Sequence, residues 1–419
     1  MKSIYYVGAG VSTIFSVIQL LEQGYDGSKI HIIDAGQDID NRPEKEYMLG
    51  FGGAGFKSDG KIVYSTTQGG ELTKYVGEEK TQELLSTLKY YVKKFHPDVT
   101  KIVSSGINEI PKWIKNSPFE LKVNECEHIG TDYLRLWSIN VLQYFINNRV
   151  NFYWDTMVTD VDFNKKEIHS KCRTFNYDTL VIAVGKSGMS LVKHITEKYS
   201  LPTSPKAAQI GVRFESEYKY FKKIVDLFYD FKLTKKYGNI TARTFCCNSL
   251  AAYVVGEKNY GMCTYNGHAF KGQEKYNGLT NFGIILEIPG IEDPLEFTKI
   301  LVEACNTNGV GRYYTPTIRK PLTLGASERT SDVYFKVLYG DYADVIFDFI
   351  ENLNTMFGFE DDYVFYFPEV KYLTNEIKVN CNNLSLANYN DVHVIGDALS
   401  SRGIAIAACH GILVAEESK

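Results

Sequence analysis

The chain has 419 residues, of which 44% are hydrophobic and 23% are charged, and its formal net charge is −4. This length predicts two domains, or one domain with a large insertion. A slightly acidic chain provides no basic surface for nucleic acid or for an anionic membrane, so neither partner is expected. The sequence has no apolar segment of bilayer-spanning length and no secretory leader at its start, so we expect a cytoplasmic protein.

The cysteines and histidines argue against a metal centre. Eight of each are scattered along the chain, with no Cys-x-x-Cys spacing and no metal-type histidine pair. Cys246 and Cys247 are adjacent, and adjacent cysteines do not easily form a redox-active dithiol, which needs residues between them. We therefore predict no bound metal and no disulfide framework, as suits a reducing compartment.

The first 34 residues predict a strand, a glycine turn, a helix and a second strand. Gly8 and Gly10 follow an apolar run and let the backbone approach a pyrophosphate, which the N-terminus of the next helix would face. The second strand ends in Asp34, whose carboxylate is placed to accept hydrogen bonds from a ribose. Thr13 replaces the third glycine of the usual fingerprint. The pattern predicts a dinucleotide site, and an ordinary glycine-rich turn is the alternative.

A glycine-rich stretch at residues 50–61 follows, and its composition predicts backbone laid against a ligand, with a surface loop as the alternative. Over the whole chain, apolar periodicity and alternation predict the helices and strands. Helices are predicted at 78–95, 134–147, 218–231, 295–306, 342–356 and 402–415, and strands at 4–7, 30–33, 151–163, 167–175, 179–184, 209–214 and from 392 to a turn at 397.

Two later segments extend the nucleotide pattern. One buried strand ends in Ala183-Val-Gly185, and another ends in Gly396-Asp397 before an apolar helix. Together with the first segment they resemble FAD-binding folds related to glutathione reductase. That resemblance implies that the middle segment passes the pyrophosphate, that the aspartate contacts the ribityl chain, and that the last helix directs its N-terminus at the flavin pyrimidine. It implies FAD as the cofactor.

Five short motifs occur in the order found in a bacterial family of largely uncharacterised FAD-dependent dehydrogenases, which the chain resembles along its length. The motifs are Gly52-Gly-Ala-Gly-Phe-Lys-Ser-Asp-Gly-Lys61, His128-Ile-Gly-Thr-Asp132, Ala183-Val-Gly-Lys-Ser-Gly188, Ile210-Gly-Val-Arg213 and Thr244-Phe-Cys246. The resemblance implies an α/β protein. Its parts are a Rossmann-like FAD-binding domain, at residues 1–204 and 385–419, and an inserted, mostly antiparallel β (α+β) substrate domain, at residues 205–384.

Three residues are candidates for catalysis. Lys61 is a candidate contact to cofactor or substrate, with a solvated lysine as the alternative, and His128 is a candidate proton donor or acceptor, with a local structural role as the alternative. Arg213 would neutralise an anionic group, unless it forms an ion pair at the domain boundary. The predicted cofactor-binding residues are Gly8, Gly10, Ser12, Asp34, Ala35, Gly52, Gly53, Ala54, Gly55, Ser58, Asp59, Gly60, Lys61, Val158, Ala183, Gly185, Gly396, Asp397, Arg402, Gly403 and Ile404.

These patterns predict an FAD-dependent oxidoreductase that transfers a hydride at flavin N5 with an unidentified small organic substrate. Gly309-Val-Gly311 follows a helical pattern rather than a strand, so a second dinucleotide motif is not predicted, and NAD(P)H would visit the substrate cleft transiently. Two alternatives remain: an FAD-dependent enzyme that modifies a nucleic-acid base, and a non-catalytic FAD-binding scaffold.

Overall fold

A computed structural model describes residues 1–44, 46–58, 60–95, 101–104, 110–123, 125–307, 312–314 and 332–417. The described strands are β1 (Ile4–Val7), β2 (Ile30–Ile33), β3 (Lys61–Tyr64), β4 (Lys101–Ser104), β5 (Glu120–Lys122), β6 (Glu125–His128), β7 (Asn151–Tyr153), β8 (Val158–Asp162), β9 (Glu167–Ser170), β10 (Thr174–Asn176), β11 (Thr179–Ile182), β12 (Thr203–Ser204), β13 (Ala208–Glu217), β14 (Lys232–Tyr237), β15 (Ile240–Leu250), β16 (Ala252–Asn259), β17 (Met262–Ala269), β18 (Leu279–Ile288), β19 (Arg312–Tyr314), β20 (Tyr363–Lys371), β21 (Glu376–Ile377), β22 (Ser385–Leu386) and β23 (Tyr389–Val394). The α-helices described are α1 (Val11–Glu22), α2 (Leu72–Phe95), α3 (Lys112–Lys115), α4 (Thr131–Asn147), α5 (Met189–Lys198), α6 (Tyr218–Val225), α7 (Pro294–Thr307), α8 (Asp332–Tyr339), α9 (Asp341–Phe357) and α10 (Ile404–Glu416).

The chain divides into two compact units. Unit 1 comprises Met1–Lys101, Glu127–Ser204 and Thr374–Lys419, and unit 2 comprises Ile102–Cys126 and Pro205–Leu373. The sequence predicts boundaries after residues 204 and 384. The division of the structure falls after residues 204 and 373, and it assigns the segment from 102 to 126 to unit 2.

Unit 1 is built on a parallel sheet of the Rossmann type. Its strand order is β22-β23-β11-β1-β2-β7, in which only the edge strand β22 is antiparallel to its neighbour. The strands β1, β2 and β11 are short and apolar, as expected for strands that are covered on both faces. The predicted α/β class is confirmed, and β1 lies between β2 and β11, so its end is flanked by both.

Helices α1 and α10 pack against each other at a very close crossing. A Cβ atom built on Gly411 of α10 would lie 1.9 Å from the carbonyl oxygen of Ser12 in α1. All residues of α10 from Ile404 to Ala415 are buried, which explains why its sequence is apolar on every side. This close packing fixes the N-termini of the two helices relative to each other.

Most predicted elements of unit 1 are present, but both predicted strands of the 151–175 region are divided. The strand predicted at 167–175 is β9 and β10, which pair antiparallel with each other. The predicted strand at 151–163 is two strands: β7 pairs in parallel with β2, and β8 pairs antiparallel with β9. Asp155, which has a positive φ of 50°, lies between them. The predicted helix at 78–95 begins earlier, at Leu72, and is kinked at Gly77.

Unit 2 contains a seven-stranded antiparallel sheet in the order β19-β20-β13-β18-β15-β14-β5. Strands β16 and β17 form a separate two-stranded hairpin. Helices α7 and α9 match the predicted helices at 295–306 and 342–356, whereas α6 is shorter than predicted and ends at Val225. In the part of the chain that the structure describes, helices of membrane-spanning length and hydrophobicity are absent.

Candidate functional site

The turn after β1 is held by the threonine that replaces the third fingerprint glycine. Gly8 has a φ of 106°, and a Cβ there would lie 2.3 Å from the carbonyl oxygen of Ala183, so only glycine fits. Thr13 is fully buried, and its Oγ1 donates a 2.6 Å hydrogen bond to the Gly8 carbonyl. The threonine thus ties the first turn of α1 to the glycine turn, which accounts for its presence at this position.

Asp34 joins three segments of unit 1. Its Oδ2 accepts a 2.7 Å hydrogen bond from the N–H of Ala9, and its Oδ1 accepts 2.8 Å hydrogen bonds from the N–H groups of Gly36 and Gly50. An ionised carboxylate offers about four lone-pair positions, so these bonds occupy most of its capacity. The structure therefore gives this carboxylate a role in holding the loops together, in addition to the predicted contact with a ribose.

The glycine-rich loop lies against the first turn of the chain and is held by an arginine that the sequence patterns did not single out. The N–H of Gly52 donates to the carbonyl of Ala9 at 2.8 Å. The Arg42 guanidinium donates to the carbonyls of Phe51 and Gly53 at 2.9 and 3.0 Å. Arg42 is only 8% exposed, and burial lowers its pKa to about 10. A single arginine in a polar loop has no periodic signal, so only the structure reveals its role.

The N-termini of α1 and α10 meet at this loop. A Cβ built on Gly55 would lie 2.4 Å from the side chain of Val11, the first residue of α1, and 3.6 Å from that of Ile404, the first residue of α10. The residues before the helices, Gly10 and Gly403, have no side chain with which to cap the first-turn N–H groups. Two positive helix ends therefore converge beside glycine backbone.

The segment before α10 completes this arrangement. Gly396 lies against Ser12, because a Cβ at residue 396 would be 2.7 Å from the Ser12 hydroxyl oxygen. Asp397 is partly exposed, and its Oδ2 lies 3.3 Å from a guanidinium nitrogen of Arg402. The N–H of Arg402 donates to the carbonyl of Gly69 at 2.6 Å. The predicted cofactor residues Gly396, Asp397 and Arg402 therefore lie close to the N-termini of α1 and α10.

A buried histidine, also absent from the sequence-based candidates, supports the Gly-Asp turn. His410 of α10 is 1% exposed, and its Nδ1 accepts a 3.2 Å hydrogen bond from the N–H of Gly396. Burial lowers the pKa of His410 to about 3, so the ring is neutral near pH 7. Its Nε2 then carries the proton. A histidine within an otherwise apolar helix was the available sequence signal.

Two of the three catalytic candidates, Lys61 and His128, lie in unit 1 and are buried. The segments that carry them are joined by hydrogen bonds from the N–H of Ile129 to the carbonyl of Gly60, at 2.9 Å, and from Oγ1 of Thr131 to the carbonyl of Ser58, at 2.6 Å. The Gly-rich motif and the motif that starts at His128 therefore form one local structure.

The third candidate, Arg213, lies in β13 of unit 2 and is fully buried. Its Nε and Nη2 donate to Oδ1 of Asn281 at 2.9 and 2.6 Å, and Nη2 also donates to the carbonyl of Cys246 at 2.7 Å. Its Nη1 lies 3.5 Å from a carboxylate oxygen of Glu369. These partners are all within unit 2.

The other predicted cofactor residues are distributed around unit 1. Ala183 and Gly185 follow β11, whose last residue pairs in parallel with Val7 of β1, and Ala35 and Ala54 are partly exposed. Val158 is the buried first residue of β8. Asp59 and the Gly309–Gly311 segment lie outside the described residues. Among the residues that are described, groups of three or more metal-ligating side chains are absent.

The geometry fits a ligand with phosphate groups. A Cβ built on Gly10 would meet no atom within 4 Å, although Val11 and Ser12 beside it are buried, so there is space directly at the N-terminus of α1. Uncapped N–H groups and the helix dipole favour an anion in such a position. Glycine backbone extends from the end of β1 to the start of α10. A site of this extent suits a dinucleotide better than a single phosphate.

No protein-family model matches the chain, and no curated protein matches it. Solved structures that the chain resembles include a variant of 2-methyl-3-hydroxypyridine-5-carboxylic acid oxygenase, with 10% identity and a TM-score of 0.41 over 100% of this chain and 84% of that one. CtdE in complex with FAD and a substrate has 8% identity and a TM-score of 0.43 over 98% of this chain and 78% of that one. The halogenase PltM has 10% identity and a TM-score of 0.43 over 99% of this chain and 67% of that one. Similarity at this level indicates neither a shared substrate nor a shared reaction.

Proposed function

We propose that the protein is an FAD-dependent oxidoreductase that acts on a small organic molecule. The observation that carries this proposal is the convergence of two uncapped helix N-termini, those of α1 and α10, beside a glycine-rich loop at the ends of parallel strands. One helix end serves a phosphate in many nucleotide-binding proteins. A second helix end in the same unit provides for a second electron-rich group, which FAD has in its flavin ring and NAD does not.

The residues of unit 1 divide between the two halves of the cofactor. The turn at Gly8 and Gly10 and the N-terminus of α1 would hold the pyrophosphate, with Asp34 on the side of the adenosine ribose. Asp397 would accept hydrogen bonds from the ribityl hydroxyls. The N–H groups at Gly403 and Ile404 would face the flavin pyrimidine.

FAD supplies two-electron redox chemistry when it is bound, and the protein supplies binding, orientation and charge. The positive end of α10 stabilises negative charge on a ligand that lies before Ile404. His410 keeps the Gly396 N–H engaged and so fixes the direction of the turn that carries Asp397. Lys61 and His128 are the buried groups of unit 1 that we assign to charge neutralisation and proton transfer.

The substitution Gly10→Ala tests the cofactor assignment. Gly10 has ordinary backbone angles, with φ −77° and ψ −176°, and an added methyl group would contact no protein atom. The variant should therefore fold with an unchanged melting temperature in the absence of cofactor. Because the methyl group would occupy the space at the end of α1, its flavin content should fall at least about tenfold, the effect of about 1.4 kcal/mol.

The measurement is the flavin released from purified, heat-denatured protein, identified by chromatography and expressed per mole of chain. Ser86→Ala, at an exposed helical position away from the glycine turns, provides the control. Wild-type protein that releases no FAD after purification and binds none on addition would refute the proposal. Protein with FAD that no reductant or substrate bleaches under anaerobic conditions would support a scaffold instead of an enzyme.

A further inference from the structure

The core of unit 2 contains a cluster of polar side chains that the proposed function does not use. Arg213, Glu215, Asn248, Asn281 and Glu369 are all at most 1% exposed. They come from β13, β15, β18 and β20, which are neighbours in the antiparallel sheet. Charged and amide side chains are seldom fully buried, since each must find hydrogen-bond partners inside the protein.

Hydrogen bonds in this cluster fix the orientation of two side-chain amides. Arginine can only donate, so the atom of Asn281 that faces Arg213 at 2.6 and 2.9 Å must be its oxygen. Asn248 also contacts that oxygen, at 3.2 Å, so it must do so with its nitrogen. The amide nitrogen of Asn281 and the amide oxygen of Asn248 therefore point elsewhere, and neither has a hydrogen-bond partner among the described residues.

The backbone around the two amides is irregular. The pairing of β15 with β18 shifts between Phe245 and Asn248, and Cys246 within this bulge has a φ of 51°. The pairing of β13 with β20 shifts between Gly211 and Arg213. Bulges of this kind redirect side chains and occur often beside functional sites. The two shifts end at Arg213 and Asn248, which both belong to the cluster.

The β16–β17 hairpin covers the cluster without being part of the large sheet. A Cβ built on Gly267 of β17 would lie 1.7 Å from Nη2 of Arg213 and 2.3 Å from Nδ2 of Asn248, so the hairpin backbone lies directly on these groups. The strands of the hairpin pair only with each other in the described sheets. The side chains of Asn306 and Asn277 hydrogen-bond the hairpin backbone at Cys263 and Ala252. Lifting the hairpin would therefore break these side-chain bonds and packing contacts, but no ladder of backbone hydrogen bonds in the described sheets.

We propose that Asn248 and Asn281 bind the amide edge of a small planar molecule, a carbonyl beside an N–H, beneath the β16–β17 hairpin. The Asn281 N–H would donate to the ligand carbonyl, and the Asn248 oxygen would accept from the ligand N–H. The two protein amides are joined by one hydrogen bond, so both lie within reach of one ligand. Carboxamides, such as that of nicotinamide, and cyclic imides, such as uracil, share this edge. The site lies within unit 2 and does not depend on FAD in unit 1.

The test is calorimetric titration of the purified full-length protein with nicotinamide, with uracil, and with 3-acetylpyridine, which keeps the carbonyl of nicotinamide but lacks its N–H. We expect nicotinamide or uracil to bind, and 3-acetylpyridine to bind at least about tenfold more weakly than nicotinamide, because one hydrogen bond to a buried group is lost. If only one of the two amide compounds binds, the result shows whether the site accepts a carboxamide or a cyclic imide.

Asn281→Asp is the matched variant, because aspartate keeps the oxygen that accepts from Arg213 and replaces the N–H donor with a second carboxylate oxygen. It should weaken nicotinamide or uracil binding at least about tenfold. The exposed Asn164→Asp has the same change of charge and should bind as wild type. Gly10→Ala should also bind these probes normally, which separates this site from the cofactor site.

If neither amide compound binds, if 3-acetylpyridine binds as well as nicotinamide, or if Asn281→Asp binds as wild type, the proposal is wrong. The comparison of nicotinamide with 3-acetylpyridine on wild-type protein decides the matter if the variant does not fold.

Discussion

The carboxylate of Asp34 accepts hydrogen bonds from the backbone of the first glycine turn, of the segment after β2, and of the glycine-rich loop. The sequence predicted a residue that contacts a ribose, and this contact stays a prediction. The structural role could not be predicted, because it depends on the loop at Gly50 folding back onto the end of β2. A contact between two segments so far apart in the sequence produces no local sequence pattern.

We expect Asp34→Asn to destabilise unit 1 even without cofactor. The carboxamide would place an NH₂ group against backbone N–H donors, so at least one buried donor would lose its acceptor, at a cost of about 1–3 kcal/mol. The melting temperature should fall by roughly 2–4 °C per kcal/mol for a unit of this size. Asp40→Asn is the control, because the Asp40 side chain is 78% exposed. Unchanged melting of the cofactor-free Asp34 variant would restrict Asp34 to ligand binding.

Thr13 and Arg42 mark opposite limits of prediction at the residue scale. Thr13 was visible as a departure from a known fingerprint, and the structure supplies its reason, the hydrogen bond to the Gly8 carbonyl. Arg42 was not visible, because its partners are the carbonyls of residues 46, 51 and 53 in an irregular loop. Every residue type has a backbone carbonyl, so an arginine that binds carbonyls does not require particular residue types at its partner positions.

Among the elements, those with strong local patterns were predicted well, and those defined by their pairing partners were not. Strands β1 and β2 have the predicted bounds, since each is a short apolar run between turn residues. Strand β7 was predicted as part of a hairpin, yet it pairs in parallel with β2. Its three residues are only partly buried and look the same in either arrangement.

The crossing of α1 and α10 leads to a prediction about Gly411. Alanine normally stabilises a helix interior relative to glycine by about 1 kcal/mol. At Gly411 the added methyl group would lie 1.9 Å from the Ser12 carbonyl oxygen and 2.9 Å from the Ser16 nitrogen, so the helices would have to separate. Overpacking of this kind typically costs about 1–3 kcal/mol. Gly411→Ala should therefore lower the melting temperature.

The separation should also reduce FAD content, because α1 and α10 carry the two N-termini assigned to the cofactor. Thermal melting and released flavin are measured together. Gly77→Ala is a poor comparison because of its positive φ, so an alanine at the exposed helical position Ser86 provides the control. A Gly411→Ala protein that is more stable than wild type would show that the close crossing is not required.

For the whole molecule, the sequence indicated an α/β unit and an antiparallel unit but could not assign every segment. Strand β5 pairs with β14 in unit 2, with Leu121 opposite Leu233, so a short piece of chain between two parts of unit 1 belongs to the other unit. Such long-range pairing is decided by the tertiary structure. The polar cluster at Arg213 is similar, since its members come from four strands that only the folded sheet makes neighbours.

Stability of the whole protein should decrease in mild acid because of buried histidines. Burial lowers the pKa of His410 to about 3, and it also lowers the pKa of His393. The unfolded chain has histidine pKa values near 6.5, so below that pH it binds protons that the folded chain does not. Stability therefore falls as the pH drops from about 6.5 towards 3, by up to about 1.4 kcal/mol per pH unit for His410 alone.

His410→Asn isolates this contribution, because its Oδ1 can accept from the Gly396 N–H in place of Nδ1 while the titrating ring is removed. Between pH 7 and pH 5 the wild type should lose about 2 kcal/mol more stability than the variant, which corresponds to roughly 4–8 °C in melting temperature. The melts are compared at equal flavin content, since a bound cofactor raises the melting temperature independently. Parallel curves for wild type and His410→Asn would mean that His410 is not buried and neutral in the folded protein.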